Sequence, residues 1–166
     1  MKKCFIALAA LMCVSAGFTA ASGPANAATP KCQQTGCDGK GPVSQNCDDD
    51  AYKIDTVSLR NAWGVAYAQL EFSDHCYAYW ARGHSLNTGS DGGVDSAGYT
   101  VRVQRAKMSG TIVHTESQHI YSNTGAYDWT LMAGGYYPRK FRACLYMSKA
   151  HSGDGKWHCT SWHEAP

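Results

Sequence analysis

Beyond residue 27, no stretch of ten residues in this 166-residue chain convincingly repeats its apolar side chains every three to four positions, the period that a surface helix needs. That absence argues against a helical protein. Leucine and isoleucine are few, so a core must draw on aromatic side chains. All five Trp and all ten Tyr lie beyond residue 27. Net charge is missing too: apart from Lys2 and Lys3, the 13 basic residues equal the 13 acidic ones. A chain without a broad basic field is not built for general nucleic-acid binding.

The motifs of common chemistries are absent as well. The spacing Cys32-x4-Cys37-x9-Cys47 lacks the Cys-x2-Cys clamp of zinc modules. Asp48, Asp49, Asp50 and Asp55 supply carboxylates without the one-three-five spacing and central glycine of a calcium loop. They read instead as a solvated acidic turn that caps a short helix starting near Ala51. Gly89-Ser90-Asp91-Gly92-Gly93 inverts the serine and aspartate of the trypsin-like motif, and Gly83-His84-Ser85-Leu86-Asn87 lacks the last glycine of a nucleophile elbow. His158 and His163, five apart, would face opposite sides of one strand. With no nucleophile or paired-carboxylate motif, the chain is read as non-catalytic, without metal or cofactor.

What is present begins with a leader. Lys2 and Lys3 precede an apolar run from Phe5 to Phe18, and Ala25-Asn26-Ala27 offers a small-x-small cleavage site. Residues 1–27 therefore read as a secretory signal peptide, too short in its apolar run to span a bilayer. No stable membrane insertion is expected. The remaining chain, about 139 residues, is the size of one domain. It retains Cys32, Cys37, Cys47, Cys76, Cys144 and Cys159, an even number that implies disulfides in an exported protein. Six cysteines allow 15 pairings, and sequence alone does not choose among them. Favouring near neighbours in a β-rich body, we expect Cys32–Cys37, Cys47–Cys76 and Cys144–Cys159, worth roughly 2, 3.6 and 3 kcal/mol by loop entropy.

Residues 28–50 form an irregular arm, punctuated by Gly36, Gly39, Gly41 and Pro42. Residues 51–166 then read as a β domain. Tyr52 to Leu59 fits a strand or a short helix. Trp63 to Phe72 alternates, with Ala66, Ala68, Leu70 and Phe72 on one face, and Ser73-Asp74 turns the chain into a hairpin partner at His75 to Arg82. Leu86 to Gly98 reads as a loop. Further strands are predicted at 99–107, 110–116, 119–122, 127–132, 140–146 and 157–162. The fold class is all-β or nearly so, a small disulfide-stapled barrel or sandwich with an irregular N-terminal arm.

Three functional readings follow. In the first, the protein is a non-catalytic adaptor that joins larger secreted proteins. A preorganised arm carrying Asp38, Lys40 and Pro42 would engage one partner, and could be removed without loss of the fold. An aromatic-basic face with Tyr136, Tyr137, Arg139, Lys140 and Arg142 would engage another. Charge supports it: residues 28–98 carry five basic and nine acidic groups, residues 99–166 eight and four, although folding can mix such halves. In the second, Trp and Tyr stack on the sugars of a cell-wall glycan. In the third, Lys40 enters the specificity pocket of a protease. The bland alternative for the arm is a cover over a sheet edge.

Two motifs carry a resemblance. Cys32-x4-Cys37-Asp38-Gly39-Lys40-x-Pro42-x4-Cys47, followed by Leu70-Glu71-Phe72-Ser73-x2-Cys76-x-Ala78-x-Trp80-Ala81-Arg82, resembles a family of small exported Gram-positive proteins catalogued as a domain of unknown function. Residues 83–135 are longer and more aromatic than that family's usual middle. The resemblance implies a secreted, disulfide-bonded β domain, supports the pairing given above and brings no catalytic residues. The chain is also similar to the small adaptor subunits of secreted toxin particles used between competing bacteria, which implies a role in bridging the subunits of an extracellular complex.

Overall fold

The structure, a computed structural model, describes residues 28–61, 64–87, 98–120, 127–148 and 153–166, without the side chains of 61 and 85–87. The predicted leader, the Gly89–Gly93 motif and Trp63 lie outside these residues. Ten strands are described: β1 Tyr52–Asn61, β2 Gly64–Ser73, β3 Ala78–Asn87, β4 Tyr99–Lys107, β5 Ile112–Ile120, β6 Tyr127–Trp129, β7 Ala133–Gly134, β8 Arg139–Tyr146, β9 Trp157–Cys159 and β10 His163–Glu164. No described helix is long and apolar enough to cross a membrane.

The strands form two antiparallel five-stranded sheets. In the first the order is β1-β2-β3-β6, with β7 also pairing β3; in the second it is β10-β8-β4-β5, with β9 also pairing β8. The sheets pack face to face and close no barrel, so of the two predicted architectures the sandwich is the one formed. The alternation expected for β2 fixes its inward face. Ala66, Ala68, Leu70 and Phe72 are buried there with Tyr79 and Ala81 of β3, and opposite them stand Val101, Val103, Phe141, Ala143 and Leu145. A one-residue slip would turn this apolar row to solvent, which is why the register is strongly specified.

Aromatics replace the missing aliphatics at one end of this core. Tyr79 stacks on Phe141 at 3.9 Å between ring centroids and packs against Phe72 at 4.4 Å. Such pairs add about 0.5–1.5 kcal/mol each beyond the area they bury. Burial pushes the Tyr79 phenol well above its ordinary pKa, so it stays neutral.

Several expectations need correction. Tyr52 opens β1 rather than a helix, and the acidic run before it serves a different turn. Asp50 accepts hydrogen bonds from Ser73 Oγ (2.6 Å) and the His75 N–H (2.9 Å), while Ser73 Oγ accepts from the Cys76 N–H. Asp50 thereby holds the β2–β3 turn, in which Tyr77 takes a left-handed backbone at φ 47°. That turn delays β3 from the predicted residue 75 to Ala78, and pairing with β2 carries it on to Asn87, past the predicted end at Arg82. Residues 112–120 form one strand instead of two, because β4 pairs along their whole length.

The three disulfides pair as expected: Cys32–Cys37, Cys47–Cys76 and Cys144–Cys159. The last joins cross-strand neighbours of β8 and β9. The first two belong to the arm.

Candidate functional site

The arm is too polar to form a strand of its own, so its backbone groups bond to what it crosses. The Gln34 N–H donates to the Cys76 carbonyl at 2.7 Å, the Gly39 N–H to Met132 at 3.1 Å, and the Met132 N–H to Lys40 at 2.9 Å. Beneath lies a second, smaller core. The sulfurs of Cys32, Cys37, Cys47 and Cys76 lie within 4.8 Å of one another, packed with Ala78, Trp80 and Met132. Ala78 and Trp80 have opposite parity to Tyr79 and Ala81, so β3 is buried on both faces: one by the sandwich, the other by the arm.

Asp38 locks the arm to the second sheet. Its carboxylate accepts both terminal amino groups of Arg105 at 2.9 Å each and the Gly134 N–H at 2.7 Å. Arg105 Nη1 also donates to the Gly134 carbonyl. Bidentate, charge-assisted pairs of this kind are among the strongest polar contacts in proteins. His114 extends the cluster. Its Nδ1 lies 3.9 Å from Asp38, and its Nε2 lies 3.0 Å from Glu116, an ion-pair distance without hydrogen-bond alignment. Gly134 is required where the arm passes, since a Cβ there would overlap the Gln34 carbonyl.

These contacts shape one end of the molecule. Gln34 and Thr35 of the arm, Val113 of β5, and Tyr136, Tyr137 and Arg139 line an open cleft of about 400 Å³. Tyr136 and Tyr137 are the most exposed large apolar side chains among the described residues, at 55% and 59%. The turn that carries them contains a cis Tyr137–Pro138 peptide bond.

The residues proposed from sequence are therefore distributed unevenly. Asp38 is spent on Arg105, and Pro42 is fully buried. Lys40 is exposed, but its carbonyl is tied to Met132. Tyr136, Tyr137 and Arg139 meet the arm at the cleft. Lys140 and Arg142 point elsewhere, over Trp162 on the outer face of the second sheet, at 5.3 and 4.3 Å from its ring. Sequence reading missed Arg105, Gln34, Thr35 and Val113. Arg105 carried a signal: it shares the inward parity of Val101 and Val103, and a charge in such a position needs a partner.

No curated protein matches the sequence. Among solved structures the chain is similar to an endonuclease/exonuclease/phosphatase from Beutenbergia cavernae DSM 12333, at 12% identity and a TM-score of 0.32. That alignment covers 67% of this chain and 35% of the other, a likeness too slight to speak for fold or chemistry here. The model of the family described as "protein of unknown function (DUF2690)" matches residues 35–144, from the arm that carries Asp38, through both sheets, to Cys144. The chain belongs to that family.

Proposed function

We propose that the protein is an extracellular, non-catalytic adaptor that docks larger proteins through the cleft between its arm and the Tyr136–Arg139 turn, and so links subunits of a secreted complex. The convergence of two separately predicted elements on one surface carries this reading. Two exposed tyrosines stand beside an arm immobilised by two disulfides and the Asp38–Arg105 fork. Rigid aromatic anchors on an ordered backbone bind with little further entropy loss. Three disulfides fit an oxidising, extracellular environment.

The other readings lose support. A protease substrate-like loop must offer its scissile carbonyl, and that of Lys40 accepts the Met132 N–H. Of the rings that sugar stacking would use, Trp80 is buried, Trp129 is half-buried, and Arg102, Lys140 and Arg142 lie over Trp157 and Trp162. That reading falls back on exposed tyrosines, Tyr136 and Tyr137 above all.

Removing the arm is no longer a clean test, because deletion would break Cys47–Cys76 and uncover Trp80 and Met132. Point variants are preferable. Tagged protein recovered from the native culture medium should co-purify with large partners in fixed stoichiometry. Tyr136→Ser/Tyr137→Ser should lose them while keeping its melting temperature, and Lys40→Ala should retain them. A monomer without partners, or undiminished capture by the double tyrosine variant, would overturn the proposal.

A further inference from the structure

Outward-facing residues of β4 and β8 place two guanidinium groups on the side of the second sheet away from the core. Arg102 stands opposite Cys144, and Gln104 opposite Arg142, so the two arginines are diagonal cross-strand neighbours, within mutual reach. Each lies over an indole. Arg102 lies 3.5 Å from the Trp157 ring centroid, and Arg142 4.3 Å from that of Trp162. Each spends its Nε on a neutral neighbour: Arg142 donates to Gln104 at 2.9 Å, Arg102 to Ser117 at 3.4 Å.

The terminal amino groups of both arginines hydrogen-bond to none of the described residues, and no described carboxylate lies within ion-pair distance of either. Glu164, opposite Lys140 on β10, is a diagonal neighbour of Arg142 but lies within ion-pair distance of neither cation. Two like charges thus sit together, partly buried and without an ion-pair partner among the described residues. Burial lowers the pKa of Arg102, and the charge of Arg142 lowers it further; burial alone lowers that of Arg142. An oxyanion bridging the two forks would relieve this repulsion and meet donors that are already oriented.

From this geometry we infer a second binding surface, separate from the cleft, on which Arg102 and Arg142 grip the oxyanion groups of a linear anionic polysaccharide. The polymer class follows from what the face offers. The indoles here lie under cations and offer no open aromatic anchor, leaving oriented guanidinium forks beside a strip of hydroxyls that includes Ser117 and Thr115. Such a strip suits a repeating, hydrated polyanion. This differs from a stacking-driven sugar site in one measurable respect: its affinity falls as salt rises.

The test uses the full disulfide-bonded protein against immobilised dextran sulfate, with neutral dextran of the same length as control and duplex DNA as competitor, between low and physiological salt. We expect salt-sensitive binding to dextran sulfate and none to dextran. Arg102→Gln/Arg142→Gln should weaken it at least about tenfold, the loss of one charge-assisted hydrogen bond or more, with an unchanged melting temperature. Lys53→Gln, an exposed cation on β1 of the first sheet, should leave it intact. Equal binding to neutral dextran, full binding by the double variant, or stronger binding to duplex DNA would each overturn the inference. Arg102→Lys/Arg142→Lys keeps the charges without the forks. Weakened binding in that variant supports oriented donors, and wild-type affinity refutes them.

Discussion

Replacing Asp38 with asparagine keeps the side chain's size and the hydrogen bond from the Gly134 N–H, but removes the charge between Arg105 and His114. Arg105 then remains 10% exposed, with the Gly134 carbonyl and a neutral amide in place of a carboxylate. Breaking one side of a fully buried pair costs about 3–5 kcal/mol. Asp38 is 23% exposed, so solvent softens the loss, and about 2–4 kcal/mol is expected. With an unfolding entropy of about 2.1 cal/mol/K per residue over roughly 139 residues, each kilocalorie moves the midpoint by about 3–4 °C. Calorimetry on oxidised protein should therefore show a drop of about 7–14 °C. A double-mutant cycle isolates the pair. Arg105→Met should also destabilise, and Asp38→Asn/Arg105→Met should cost less than the two singles added together, because neither charge is then stranded. A drop below about 2 °C for Asp38→Asn, or strictly additive costs, would refute the view that this fork holds the arm.

Two further predictions rest on other contacts. Gly134→Ala drives a methyl into the Gln34 carbonyl; it should loosen the arm selectively, seen as faster amide exchange at Gln34 and Gly39 with β2 and β8 still protected. Asp55 on β1 hydrogen-bonds His163 on β10 at 2.9 Å, joining the edges of the two sheets. Burial pulls its pKa upward, but the hydrogen bonds from His163 and the Thr56 and Ser161 backbones outweigh it and leave the carboxyl below its ordinary range. A carboxyl depressed in the folded state contributes stability above its unfolded pKa of about 4 and loses it as pH falls further. The gap in melting temperature between wild type and Asp55→Asn should thus be full at pH 6 and close below pH 4. A gap constant from pH 6 to pH 3 would contradict the assignment.

Much of the fold was legible because its determinants are local. The alternation of Ala66, Ala68, Leu70 and Phe72 names the core face of β2 without knowledge of any partner. Near-neighbour reasoning also reached the disulfides. Elements set by distant contacts were not legible. Gly134 reads as part of a turn until Gln34 is placed above it. Asp50 reads as a helix cap until Ser73 and His75 come to it. The site was less readable still. Asp38 and Tyr136 share one end of the molecule, but their common surface depends on Arg105, 67 residues from Asp38, and no spacing rule records that meeting. The basic residues near the tyrosines divide by strand parity: Arg139 lines the cleft while Lys140 and Arg142 turn to the opposite face.

The arm also sets an order of assembly. Its anchors lie far along the chain: the Cys76 turn is 42 residues from Gln34, Arg105 is 67 from Asp38, and Gly134 is 96 from it. Docking of the arm needs β4 and β7 in place, contacts of long sequence separation that close slowly. Until then Trp80 and the β3 flank stay uncovered, an apolar surface open to misassociation. The Cys47–Cys76 disulfide, across a loop of only 29 residues, needs only the first of those anchors and neither Arg105 nor Gly134. It tethers the arm beside the surface it will cover and shortens that vulnerable interval.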